Sequence, residues 1–322
     1  MVKTTIRRFI IFIPQIIALS LLTFFLANLM PGDVISQLAG PYADPEQILA
    51  MREAMGVDHP WYIQYVNWAI GVFTSFDFGR SFLHNQAVVD LIGTRVMNTV
   101  VLSFTTTIIT IALTIPLGII AAKFAGRWQD KLILNFGFAS QAMPVFAMAI
   151  VVIWIFALIL GWFPMSGSVS VLIMPDDTFN YIMSRLHHLI LPSLVGGILG
   201  NFGLIFTLRA VILDNSSSAY VVTARSKGVP MKTIYNKHIL RNSLLPFAGL
   251  IPGFVLGLLS GSVFIETIFG FPGMGQLFIQ SIQSRDFPVV TALVMMYGII
   301  ALVGILLTDI LITIIDPRIR IK

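Results

Sequence analysis

Residues 96–122 read VMNTVVLSFTTTIITIALTIPLGIIAA, an apolar stretch without a charged side chain. A helix rises about 1.5 Å per residue, so this stretch is long enough to cross the roughly 30 Å hydrocarbon core of a bilayer. Arg95 and Lys123 bound it on either side. The stretch therefore predicts a transmembrane helix.

The composition of the whole chain points to the same solvent. Of its 322 residues, 57% are hydrophobic and only 11% are charged, where a soluble domain carries about 25% charged residues. This excludes an ordinary soluble enzyme. The absence of cysteine excludes disulfides, zinc-thiolate and iron–sulfur sites, and the net charge of +5 does not by itself call for a nucleic-acid partner.

Other apolar segments match the length of residues 96–122. The segment that begins at residue 9 follows Lys3, Arg7 and Arg8, as a signal peptide would, but its apolar run is too long and no small-x-small cleavage pattern precedes Pro31. We expect it to be retained. The sequence thus predicts an all-α integral membrane protein with six transmembrane helices, at residues 9–30, 96–122, 132–161, 189–213, 244–268 and 288–315.

Basic residues set the orientation, because Lys and Arg next to spans favour the cytoplasm. They concentrate at the two termini and in the loops that follow the second and fourth spans. Both termini are therefore predicted to be cytoplasmic. The chain divides into residues 1–30 (an N-terminal segment and the first span), 31–95 (an extracytoplasmic loop domain), 96–316 (the remaining spans, with a loop at 214–243) and 317–322 (a cytoplasmic tail).

The loop at 31–95 is long enough to hold structure of its own. Asp44 and Pro45 are typical of a helix start and Gly56 of a helix end, and a second helix is predicted from Pro60. Helical spacing places several aromatic side chains on one face, either at the headgroup level, against neighbouring spans, or in a small core of the loop itself. These side chains are Trp61, Tyr62, Tyr65 and Trp68.

The sequence offers little catalytic chemistry. It has no phosphate-binding loop of the G-x-x-x-x-G-K-[ST] type, and the adjacent His187 and His188 point in different directions on a helix, which is poor geometry for a metal. Arg209, Glu266 and Asp309 lie toward the ends of spans, where interfacial pairing is favoured over proton transport. We expect a chain that is not an enzyme and binds no metal or cofactor, so any energy from ATP must come from another subunit.

A stripe of glycines runs down the fifth predicted span at a spacing of four. On a helix these residues share one face, which indicates close packing with a neighbour, either fixed or sliding during a conformational cycle. The stripe consists of Gly249, Gly253, Gly257 and Gly261.

The basic loop at 214–243 is longer than two adjacent helices need. It predicts a short helix over 220–227, with N-cap candidates at 215–218 and Gly228 as a left-handed stop, and then a second helix from Pro230. By composition alone, a solvated basic loop is the simpler interpretation.

The sequence of this loop resembles that of a known family. Thr223-Ala224-Arg225-Ser226-Lys227-Gly228 and 238–246, HILRNSLLP, are similar to the T-A-R-A-K-G and H-A-L-R-N-A-L-x-P signature of binding-protein-dependent ABC importer permeases, and within them to the dipeptide/oligopeptide/nickel group. Further matches run along nearly the whole chain, at Pro31-Gly32-Asp33, Phe78-Gly79-Arg80-Ser81, Gly126-Arg127-Trp128, Phe271-Pro272-Gly273-Met274-Gly275 and Asp316-Pro317-Arg318. The long first outer loop resembles the first of the two permease subunits of such importers.

The resemblance implies a type I importer permease fold, with a cytoplasmic coupling helix between the fourth and fifth spans that docks on a separate ATPase. By position, the docking residues are Tyr220, Thr223, Ala224, Arg225, Lys227 and Gly228, supported by His238, Arg241, Asn242 and Pro246. Implied partners are a second permease subunit, two cytoplasmic ATP-binding subunits that carry ATP and Mg, an extracytoplasmic peptide-binding protein, and membrane lipid.

The resemblance also implies a function: import of di- and oligopeptides by alternating access in the bacterial or archaeal plasma (inner) membrane. Within the family, import of nickel or a metal chelate is the alternative. Outside it, the alternative is a proton-coupled secondary transporter, which needs inverted repeats and carboxylates near the middle of the membrane. The residues that contact substrate stay unknown at this stage.

Overall fold

The computed structural model of the chain describes residues 2–29, 44, 46, 49–50, 59–173, 176–199, 201–248, 253, 257 and 262–315. Regular structure in these ranges is helical, apart from an isolated antiparallel bridge between Arg80 and Ala87. The prediction of an all-α chain is therefore confirmed for the described residues. The chain forms two compact units, Met1–Met97 with Gly273–Lys322, and Asn98–Pro272.

The described helices are numbered here in chain order. They are α1 (Val2–Asn28), α2 (Trp61–Ser75), α3 (Val88–Lys123), α4 (Trp128–Ala142), α5 (Val145–Val152, continued by π-helical Ile153–Ile159), α6 (Thr178–Leu194, continued by π-helical Val195–Leu199), α7 (Phe202–Ser216), α8 (Ala219–Ser226), α9 (Met231–Thr233, π-helical Ile234–Ile239 and Leu240–Ala248), α10 (Val263–Ile268), α11 (Met274–Gln283) and α12 (Phe287–Ile315).

Length and hydropathy identify the helices that could cross a membrane. α3 qualifies along its whole length, and α12 qualifies over Phe287–Leu307. Two bent pairs, α4 with α5 and α6 with α7, qualify if each pair is one span. The described residues thus contain two candidate spans, or up to four, together with the shorter apolar helix Ile10–Leu26 within α1.

The third predicted span, 132–161, is not one continuous helix. α4 and α5 meet at an angle of 105°. Proline cannot donate a helical hydrogen bond, and it pushes the preceding residue toward extended geometry. Met143, just before Pro144, has φ −106° and ψ 137° and ends α4. The prediction of one continuous span was wrong here, because the apolar run on both sides of Pro144 conceals the break.

The fourth predicted span, 189–213, is also interrupted. It falls on α6 and α7, which meet at 47°. Gly196 and Gly197 lie in the π-helical end of α6, where a Cβ on Gly197 would come within 2.9 Å of Ile109 on α3. Close approach of α3 therefore requires small residues at this point.

In the unit of Met1–Met97 and Gly273–Lys322, α2 begins one residue after the predicted start at Pro60 and packs against α1. The Tyr65 hydroxyl shares a 2.9 Å hydrogen bond with that of Ser20, and Phe24 lies 5.6 Å from the rings of both Tyr65 and Trp68. Tyr65 and Trp68 thus lie against α1, whereas Trp61 and Tyr62 are exposed. The helix predicted from Asp44 to Gly56 lies largely outside the described residues.

A buried carboxylate holds the loop before α3 in the same unit. Asp286, fully buried, accepts hydrogen bonds from the Ser81 hydroxyl and from the backbone N–H groups of Phe82 and Leu83. An apolar core in the same unit joins the start of α3 to α11 and α12. It consists of Val88, Leu91, Ile92, Met274, Leu277, Val289, Ala292 and Leu293.

Candidate functional site

The short helix predicted within the 214–243 loop is present as α8. It covers Ala219–Ser226, one residue earlier than expected, and Gly228 ends it with φ +74°, in the left-handed region that favours glycine. Both predictions are confirmed. Ser218 takes the N-cap position without a capping hydrogen bond, and its hydroxyl donates instead to the carbonyl of Asp214 at 3.3 Å.

α8 has an inner and an outer face. On the inner face, Val221 is fully buried, and Tyr220 and Ala224 are partly buried beside it, at the spacing expected for one side of a helix. They pack on a cluster shared by α3, α7 and α9. Its buried members, called the α8 cluster below, are Ala122, Leu208, Ile212, Val221, Ile234 and Ile239.

The outer face carries the exposed residues. Thr223, Arg225 and Lys227 are exposed, and so is Val222, which is 60% exposed. The structure thus divides the six predicted docking residues, because Tyr220 and Ala224 turn inward while Thr223, Arg225, Lys227 and Gly228 remain accessible. Val222 belongs with the outer set, and helical periodicity could have indicated it.

The electrostatic character of this surface follows from the sequence. Residues 215–265 contain no Asp or Glu. Arg225 lies beside Met231, with its Nη2 3.5 Å from the sulfur, and makes no ion pair among the described residues. The outer face therefore carries exposed basic side chains together with the exposed Val222, which suits an acidic partner.

Polar contacts fix α8 to its neighbours from the inside. The Tyr220 hydroxyl donates to Asn215 Oδ1 at 3.1 Å, and Asn215 Nδ2 donates to the Ser243 hydroxyl at 3.1 Å and to the Val211 carbonyl at 3.0 Å. Ser243 is fully buried and donates to the Ile239 carbonyl at 2.8 Å. This chain of hydrogen bonds ties the start of α8 to both α7 and α9.

The predicted supporting residues lie on α9. His238, Arg241 and Asn242 are exposed, and Pro246 lies within the helix. On the same helix, Ile234 and Ile239 belong to the α8 cluster, and Ser243 is linked to α8 through Asn215. Sequence reasoning missed these three because their side chains lack the charge that draws attention to a motif.

α7, which leads into α8, carries an ion pair at Arg209. Its Nε and Nη2 donate to Oδ1 and Oδ2 of Asp130, each at 2.7 Å. Asp130 is 1% exposed and also accepts from the backbone N–H of Gly126 at 2.8 Å. The predicted pairing of Arg209 is thus confirmed, and Asp130 is the partner that the sequence did not reveal.

Another polar cluster lies elsewhere in Asn98–Pro272. Arg185 Nη2 donates to Asn98 Oδ1 at 2.5 Å, and Asn98 Nδ2 donates to the Pro272 carbonyl at 2.9 Å. One residue along α3, the Thr99 hydroxyl donates to Glu266 Oε1 at 2.9 Å, and Glu266 is fully buried. We call this group the Glu266 cluster.

The predicted glycine stripe is only partly described. Gly249 and Gly261 lie outside the described residues, and no described atom comes within 4 Å of a Cβ built on Gly253 or Gly257. Packing at the stripe stays a prediction. Close helix contacts occur instead at Gly118 against Leu208, where a Cβ would come within 2.8 Å, and at Gly137 against Phe206, within 2.5 Å.

The described residues contain no group of three or more His, Cys, Asp or Glu side chains that could hold a metal ion. His187 bonds to the Trp162 carbonyl and His188 to the Ser184 carbonyl, each at 2.8 Å. These contacts fit structural roles for the two histidines.

Comparison with known proteins gives matches along the chain. The family model described as the binding-protein-dependent transport system inner membrane component matches residues 114–321, and the model of the corresponding N-terminal membrane component matches residues 1–103. The oligopeptide transport system permease protein AppB of Bacillus subtilis (strain 168) is 36% identical over 98% of each chain. The glutathione transport system permease protein GsiC of Escherichia coli (strain K12) is 33% identical over 100% of each chain.

Proposed function

Because the chain belongs to the family of binding-protein-dependent transport system inner membrane components, we propose that it is the permease subunit of an ATP-driven importer of di- and oligopeptides. The observation that carries the proposal is the end-to-end similarity to a permease named for oligopeptides, joined to an accessible α8. The names of the relatives favour peptides over nickel or a metal chelate.

We place the site of energy coupling on the outer face of α8. A short helix with a left-handed glycine stop, fixed on its inner face by Val221 and Tyr220, can transmit displacement as a rigid body. Its exposed Arg225 and Lys227 can pair with acidic side chains of an ATPase groove, whose nucleotide and Mg would remain on the partner subunits. The chain contains no phosphate-binding loop of its own.

The proposed topology has six spans, with both termini and α8 on the cytoplasmic side. The basic residues support this orientation. Residues 31–95 would then face an extracytoplasmic peptide-binding protein, and residues 96–316 would form the permease core beside a second permease subunit. In the alternating-access cycle, the binding protein delivers peptide from outside, ATP closes the ATPase pair, and α8 passes that closure to the spans.

The proposal is tested by purifying the tagged chain in mild detergent and identifying its partners by mass spectrometry. We expect a second permease and ATPase subunits with phosphate-binding loops. In proteoliposomes, this complex should accumulate labelled trialanine only when ATP and the binding protein are both present, with no response to a proton gradient alone. Recovery of the chain alone, or uptake driven by the gradient, would overturn the proposal, while accumulation of ⁶³Ni²⁺ in place of trialanine would favour the metal alternative.

A further inference from the structure

The ion pair between Asp130 and Arg209 joins three segments. Asp130 lies in the first turn of α4, Arg209 lies on α7, and Gly126 belongs to the turn between α3 and α4. Gly126 has φ +78°, so its N–H is presented from a left-handed turn that other residues adopt at a cost. One buried carboxylate therefore holds the connection between two apolar helices against a third helix.

The bidentate geometry of the ion pair fixes how the two side chains are oriented relative to each other. Both oxygens of Asp130 bond to two separate nitrogens of the planar guanidinium, an arrangement that fixes orientation as well as distance. Asp130 is buried, and the Arg209 side chain retains only 23% of its exposure. A buried charge that loses its partner is strongly unfavourable, so the pair resists separation when α7 is displaced.

Close packing on both sides of the pair gives α7 little freedom of its own. Gly118 of α3 lies against Leu208, and Gly137 of α4 lies against Phe202 and Phe206. Further along α7, Ile212 belongs to the α8 cluster and Asn215 bonds to Tyr220. α7 is thus the shared element between α8 and the Asp130–Arg209 pair.

From this arrangement we infer that Asp130 and Arg209 are positioning residues for transport: they make the α3–α4 connection move together with α7 and α8. The inference rests on the proposed function, since it assigns α8 as the input of motion. Without the pair, displacement of α8 reaches α7 but is transmitted incompletely to the ends of α3 and α4. ATP hydrolysis then continues with less peptide moved per ATP.

The first test measures the ratio of trialanine uptake to ATP hydrolysis in proteoliposomes that contain the full complex. We expect Asp130→Asn to lower this ratio by about ten-fold, and Arg209→Lys, which retains the charge but not the fork, to lower it less. Lys131→Gln is the matched control, because Lys131 is the exposed neighbour of Asp130. An unchanged ratio in Asp130→Asn, in a complex that assembles normally, would overturn the inference.

A second test does not depend on uptake. The chain has no cysteine, so spin labels can be attached at Arg127→Cys and Ser226→Cys, both exposed positions on the two sides of the pair. We expect one narrow distance distribution with and without ATP when the pair is intact, and a broadened, ATP-dependent one in Asp130→Asn. An equally broad distance distribution in the chain with the pair intact would overturn the inference. This result does not depend on peptide import, so it can be told apart from a failure of the proposed function.

Discussion

Two polar regions of Asn98–Pro272 use charge in opposite ways. On the outer face of α8, Arg225 and Lys227 stay exposed. In the Glu266 cluster, Glu266 is fully buried against Thr99, and the partly buried Arg185 donates to Asn98. One region leaves positive charge available to a partner, whereas the other uses its polar groups to hold segments of its own chain.

This difference separates two kinds of role. Substitution in the Glu266 cluster should lower stability without changing how hydrolysis is linked to uptake. Substitution on the outer face of α8 should change that linkage while the chain still folds, because this surface is exposed.

The largest effect is expected at Gly228. Proline fixes φ near −65°, but Gly228 has φ +74°, and its N–H donates to the Arg225 carbonyl at 2.9 Å, a bond that proline cannot make. Gly228→Pro should therefore change the conformation at the end of α8 and reduce peptide-stimulated ATP hydrolysis by at least about a hundred-fold. This corresponds to an increase of roughly 3 kcal/mol in the activation free energy. The measurement is ATPase activity of the reconstituted complex with and without binding protein and trialanine.

The control for this substitution is Gly93→Ala, in α3, where a Cβ meets no described atom within 4 Å and φ is not positive. Membrane insertion of both variants is compared by extraction and blotting. Normal uptake by an inserted Gly228→Pro chain would remove α8 from the coupling pathway and erase the contrast between the two regions.

The next effect is expected at Glu266. Glu266→Ala removes the acceptor of the Thr99 hydroxyl and leaves space in a buried site, which should lower the free energy of unfolding by about 1 to 3 kcal/mol. Thermal unfolding of the detergent-purified complex provides the measurement, and Thr267→Ala, at the exposed neighbouring position, is the control. The peptide moved per ATP should stay at the wild-type value, and a large fall in that ratio at unchanged stability would contradict the division of roles.

The sequence predicted features whose causes are local. The helix α8 follows from the residues between Ser218 and Gly228, and its left-handed stop follows from Gly228 and Pro230. The long apolar helices follow from hydropathy. The Asp130–Arg209 pair could not be predicted in the same way, because its partners are 79 positions apart. The local sequence around either residue does not predict its partner.

Continuous hydropathy also concealed two breaks in the predicted spans. At Pro144 a local signal existed, since proline after Met143 disfavours helix, but the apolar run on both sides outweighed it. The second break follows Leu199, after a π-helical turn in which Gly197 approaches Ile109 of α3 closely. Tertiary contacts of this kind are also what divided the predicted docking residues, because only packing shows that Tyr220 and Ala224 turn inward.

The smallest effect is expected on the outer face of α8. Arg225 is exposed, so Arg225→Glu should leave the unfolding temperature unchanged and weaken association with the ATPase subunits by several-fold, since an exposed charge pair contributes only about 0.2 to 1 kcal/mol and a reversal adds repulsion. Co-purification yield at low and high ionic strength measures the effect, with Arg127→Glu, an exposed arginine outside the 214–243 loop, as the control. Because salt screens exposed charges, the difference between Arg225→Glu and wild type should shrink at high ionic strength, whereas the defect of the buried Asp130→Asn should not. If the defects of Arg225→Glu and Asp130→Asn responded equally to salt, the exposed charge on α8 and the buried Asp130–Arg209 pair would not have different roles.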